Sequence, residues 1–110
     1  MKTQQPRTPW NDLTLNVALW LERDVTSYEA WHSAAEEVLK LSRMPQEQIE
    51  DPATELALRI RRSIRELVPN DAADVIVRII YAALFDVDWL GIARALIADI
   101  TGDFVYARLQ

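Results

Sequence analysis

The sequence predicts an all-α fold, a compact single-domain bundle of about five helices. Three observations carry this. Half of the 110 residues are hydrophobic and 26% are charged, the composition of a soluble globular domain and not of a disordered chain. Only two glycines occur, too few for sheets joined by tight hairpins or for a glycine-rich phosphate loop. Apolar residues recur at spacings of three, four and seven between repeated cap and proline signals. The length leaves room for one domain. It is read as residues 11–110, behind a polar tail at 1–10 that holds Pro6 and Pro9 and reads as mobile.

The elements follow in order. Asn11 or Asp12 can cap a first helix containing Leu13 to Arg23, whose run Val17-Ala18-Leu19-Trp20-Leu21 is apolar on all sides and so predicts burial. Thr26-Ser27-Tyr28-Glu29 fits a capping box for a second helix to about Ser42. Its inner face is Tyr28, Trp31, Ala35, Val38, Leu39 and Ser42. Residues 43–51 are polar, contain Pro45 and read as a loop. Asp51-Pro52, a cap followed by proline, opens a third helix to about Val68, with Ala57, Ile60, Ile64, Leu67 and Val68 inward. Pro69 ends it. Asn70 or Asp71 can cap a fourth helix to about Phe85, so apolar that it reads as the central helix of the domain, or as one that also covers a partner. Asp88 can cap a fifth from Trp89 to about Ile100, and residues 104–109 form a last turn or an extended tail. The core is expected mostly from helices one, four and five.

Composition removes whole classes of chemistry. Without cysteine there is no disulfide, thiol catalysis or cysteine-ligated metal, and a single histidine excludes a multi-histidine site or relay. His32 would need an orienting carboxylate and a nucleophile, and no serine lies in a nucleophile motif. It reads as a surface residue near Glu29 and Glu36. Asp86 and Asp88 lack a third ligand and read as a cap and its neighbour. No catalytic residue, metal or cofactor is expected. No secretory signal is visible, and the longest apolar stretch, residues 75–85, is interrupted by Arg78 and too short for a membrane span. The cytoplasm of a host cell is the expected location.

The net charge of −5 is segregated. Residues 11–52 hold most of the acids, and Glu36, Glu37, Glu47 and Glu50 form a candidate partner-binding face able to imitate phosphate or simply to confer solubility. The third helix carries the opposite face, Arg59, Arg61, Arg62 and Arg65, which fits phosphate or an acidic partner, or a solvated surface paired with Glu55 and Glu66. No aromatic interleaves with these arginines in sequence, so base stacking is not expected, and the acidic balance disfavours nucleic acid. Trp20, Trp31 and Trp89 read as core. Trp10 is either a staple onto the first helix or an anchor for a partner.

Two blocks carry a family resemblance. Asn11-Asp12-Leu13-Thr14-Leu15-Asn16-Val17-Ala18-Leu19-Trp20-Leu21, followed by Asp24 and Tyr28, resembles the opening N-Y-x-T-W-N-V-A-L-W-L-x-N-D-x-x-x-Y of a family of short phage, plasmid and mobile-element proteins. Ala82-Ala83-Leu84, Val87-Asp88-Trp89 and Ile92-Ala93 are similar to its ending A-L-x-x-V-D-W-x-E-I-A. Asp12, Leu15, Arg23 and Gly91 depart from the pattern; with glycine at 91, no acid carries over there. The resemblance implies a non-enzymatic accessory protein that binds a host protein, including restriction or CRISPR machinery, as an antirestriction or anti-CRISPR inhibitor does. The competing expectations are a nucleic-acid-binding regulator using the third helix and a structural protein forming a homodimer through the fourth.

Overall fold

The computed structural model describes residues 10–102. The expectations for the tail at 1–9 and for residues 104–109 fall outside them. Among the described residues there are five α-helices and no strand: α1 (Asp12–Leu21), α2 (Val25–Ser42), α3 (Pro52–Arg65), α4 (Asp74–Leu84) and α5 (Trp89–Thr101). A short 3-10 turn, Pro45–Glu47, lies between α2 and α3. The all-α bundle is as the sequence predicts. None of these helices is long and apolar enough to cross a membrane.

Side-chain caps set four of the five starts. Asn11 accepts from the Thr14 amide, Asp51 from Ala53 and Asp88 from Gly91. α2 starts earlier than the Thr26 capping box implied. Its cap is Asp24, whose carboxylate accepts from the Ser27 amide at 2.7 Å. A carboxylate is a stronger acceptor than a hydroxyl at a helix N-terminus and suits the dipole there. The same backbone hydrogen bond, aided by Arg23, holds the Asp24 carboxyl below its ordinary range. α4 starts later than expected. Residues 69–73 form a turn, and Ala73 precedes the helix without any side-chain cap.

The centre of the domain is α5. Its Gly91, Ile92, Ala93, Leu96, Ile97 and Ala98 are buried, and it packs on α3 and α2, which also pack on each other. α3 supplies Ala53, Leu56, Ala57 and Ile60, and α2 supplies Ala35 and Val38. Alanines at these contacts, Ala35, Ala53, Ala57 and Ala93, are themselves buried and leave room for the larger side chains around them. α1 lies across α2 and α5 and closes one end with Leu21.

This corrects the expected source of the core. α4 is not the central helix: none of its residues is buried. Val77, Ile80, Ala83 and Leu84 are half-buried, whereas Val75, Ile76 and Ile79 are exposed. α1 is also more peripheral than its all-round apolar run implied, with Leu15, Leu19 and Trp20 exposed. The Trp20 ring instead carries the Arg23 guanidinium 3.7 Å above it. An apolar sequence states that a helix seeks cover, and not which surface provides it.

This arrangement gives a direct contrast. Ile60→Ala should lower unfolding stability by about 2–5 kcal/mol, as a fully buried aliphatic truncation does. Ile79→Ala at low micromolar protein should change it by no more than about 0.5 kcal/mol. Urea unfolding of both variants decides; equal losses would place α4 in the core.

Candidate functional site

The two sequence blocks that carry the family resemblance meet in space. The Asn11 side chain caps α1 and also donates to the Asp86 carbonyl at 2.7 Å. The buried Thr14 hydroxyl accepts the Asp88 amide N–H at 2.9 Å. Asp88 in turn caps α5, and Trp89 Nε1 donates to the Leu84 carbonyl at 3.2 Å. Trp10 is half-buried and packed against the core, beside Gly91 of α5. A Cβ at Gly91 would meet the Asp88 carboxylate and lie 2.9 Å from Trp10 Nε1. A side chain here would have to displace the Asp88 cap or the Trp10 indole, at the position where the family pattern has glutamate. These motif residues form a clasp; their polar groups are engaged within the fold.

The arginine stripe divides in two. Arg59 donates to Glu37 at 2.7 Å and to Glu55 at 3.3 Å, tying α3 to α2. These bonds, Glu37 foremost, raise its pKa above the ordinary arginine value. Among the described residues Arg61, Arg62 and Arg65 make no ion pair, so Glu66 does not neutralise Arg62. Arg65 lies 5.0 Å over the Tyr81 ring. Arg61 and Arg65, with Tyr81, Leu84, Phe85 and Trp89, line a cleft of about 230 Å³. Phe85 is 85% exposed. No aromatic interleaves with these arginines in the sequence, but the fold brings aromatics from α4 and α5 beside them. The pairing was hidden because the two sets lie 16 or more residues apart in the chain.

The acidic candidates are dispersed over α2, the 3-10 turn and the loop that follows it. Glu37 is occupied by Arg59, whereas Glu36, Glu47 and Glu50 are exposed and make no ion pair among the described residues. Glu36 and Glu37 line a shallow depression with Lys40, Ala30, Ser33 and Ala34.

His32 is more enclosed than a surface residue. Its Nδ1 lies 2.8 Å from the Tyr28 carbonyl, and since a carbonyl only accepts, Nδ1 carries the proton. The buried Nε2 has no hydrogen-bond partner; Asp99 of α5 stands 3.8 Å away, in place of the expected Glu29 and Glu36. No group of three or more histidines, cysteines and acids lies close enough to hold a metal ion among the described residues. Compared with known family models, curated proteins and solved structures, the chain matches none.

The clasp has a specific test. Thr14→Val keeps the shape but removes the acceptor, leaving the Asp88 amide unpaired. It should cost about 1–3 kcal/mol in urea unfolding, while Thr14→Ser should recover most of the loss.

Proposed function

We propose that this chain is a non-enzymatic accessory protein that works by binding other proteins. The observation that carries the reading is α4: a helix with eight aliphatic residues of eleven and none buried, followed by a Phe85 ring left 85% exposed. An apolar stripe of this kind beside a packed core is the mark of a contact surface. The family resemblance adds a phage or mobile-element origin and a host protein as partner, in the host cytoplasm, with restriction or CRISPR machinery as the defence target. The acidic side suits such a target. Glu36, Glu47 and Glu50 stand exposed, and a machine that grips nucleic acid presents a basic groove to them.

The experiment is affinity capture from host lysate. The wild-type chain should recover one host protein in stoichiometric amount. The triple variant Glu36→Lys, Glu47→Lys and Glu50→Lys should recover at least about tenfold less at unchanged helicity, as loss of electrostatic complementarity predicts. Failure to recover any stoichiometric protein overturns the reading.

One observation favours a second reading. Arg61 and Arg65, without an ion pair among the described residues, lie beside Tyr81, Phe85 and Trp89 and combine cations with stacking surfaces, the arrangement that holds single-stranded nucleic acid. It predicts an electrophoretic shift of single-stranded oligonucleotides at low salt that disappears in the Arg61→Ala, Arg65→Ala double variant. No shift at low salt removes it.

A further inference from the structure

We infer that the cleft between α3 and the junction of α4 with α5 takes one aromatic side chain, flanked by aspartate or glutamate, from an acidic segment of a partner protein. This rests on the reading of the chain as one that binds proteins, and names the chemistry of one contact.

The size of the cleft selects the kind of occupant. Its volume is about 230 Å³, below the about 300–1,000 Å³ of pockets that enclose a drug-sized ligand or cofactor. It is on the scale of a single anchoring side chain, of the sort that fills a pocket at the centre of a protein interface. The lining selects the character of that side chain. Tyr81, Leu84, Phe85 and Trp89 form its apolar part. Trp89 is held in place by the bond from its Nε1 to the Leu84 carbonyl, whereas the Phe85 ring stands open. Walls made of rings favour an aromatic guest, through offset and edge-to-face contacts.

Charge selects what flanks the ring. Arg61 and Arg65, one turn apart on α3, are the charged residues of the lining, and no acid joins them there. Neither has an ion pair among the described residues. Arg65 rests over the Tyr81 ring, whereas Arg61 has no ring partner among the described residues. The charged neighbours in the chain, Arg62, Glu66, Arg78 and Asp86, are exposed and outside the lining. A carboxylate offers each guanidinium the bidentate acceptor it lacks. An incoming ring offers Arg61 the cation–π contact that Arg65 already has. An aromatic residue beside acids supplies both.

A single nucleic-acid strand fits less well. Successive bases stack on a row of open ring faces. Here Tyr81 is covered by Arg65 and Trp89 is half-buried, which leaves Phe85 as the open ring of the cleft. A strand that continued past the cleft would also carry its phosphates by exposed Glu66 and Asp86, whereas a short acidic segment needs carboxylates only at the two arginines.

Selection of peptides from a displayed random library on the whole chain tests this. The enriched peptides should share one tryptophan, phenylalanine or tyrosine with at least two acids beside it. A labelled synthetic peptide of the enriched sequence, titrated by fluorescence anisotropy, should bind more weakly as salt rises. The Arg61→Ala, Arg65→Ala double variant and Phe85→Ala, all at exposed positions, should each weaken it at least about tenfold at unchanged helicity, as loss of an interface anchor does. Replacing the peptide's aromatic residue by alanine should do the same. Glu36→Lys, outside the cleft, should leave binding no weaker. Enriched peptides without acids or without an aromatic overturn the proposal, as does binding that survives loss of both arginines. A single-stranded oligonucleotide that needs Arg61 and Arg65, with no acidic peptide enriched, gives the cleft to nucleic acid and overturns it too. If no peptide is enriched but a host protein is still captured in stoichiometric amount, the cleft proposal fails and the protein-binding reading stands. If neither occurs, both fall.

Discussion

The hydrogen bond from the Asp88 amide to the Thr14 hydroxyl is the constraint on which the arrangement of helices depends. It joins residues 74 positions apart in the chain. Around it, Asn11 satisfies an amide at the start of α1, Asp88 satisfies one at the start of α5, and the Asp86 carbonyl receives the Asn11 side chain. Helix N-termini leave such amides without partners inside the helix. Here two of them are brought side by side and capped by one polar cluster. With the two starts fixed together, α1 lies across α5, Leu21 reaches the core at its far end, and Trp10 closes over Gly91. A side chain at position 91 would press on both the cap and the indole.

Helix existence was legible in the sequence, because caps, prolines and apolar spacing are local signals. Asn11, Asp51-Pro52 and Asp88 opened helices where they were expected to. What was not legible was which apolar helix would be enclosed. α4 has the most aliphatic sequence and the least burial, whereas α3 presents four arginines yet buries Leu56 and Ile60 completely. Burial follows from which helices pack together, here α5 with α2 and α3, a property of pairs of helices that no single helix displays. The start of α2 was misplaced for a local reason: two competent caps, Asp24 and Thr26, lie two residues apart, and the charged one prevails.

The same distinction governs the charged surfaces. The acidic and basic segments could be read from the sequence, but their pairing could not. Arg59 and Glu37 are 22 positions apart, and their 2.7 Å contact removes one residue from each candidate face. It is worth little as a surface bond, yet it sorts the remaining charges. Among the described residues Glu36, Glu47 and Glu50 keep no ion pair, and neither do Arg61, Arg62 and Arg65. Tyr81, Phe85 and Trp89 join the arginines only through the fold.

The exposure of α4 is costly for a chain of this size. Leaving a large aliphatic or aromatic side chain in water forgoes about 1.5–3 kcal/mol relative to full burial, and a domain near one hundred residues is stable by only about 5–15 kcal/mol in total. Val75, Ile76, Ile79 and Phe85, half to mostly exposed, therefore withhold several kcal/mol, a sizeable part of that stability. The clasp at residues 86–88 commits the end of α4 to α1 and α5, and the places beside α5 are already filled by α2 and α3. Among the described residues no other helix covers the stripe, and its exposure is what makes α4 read as a contact surface.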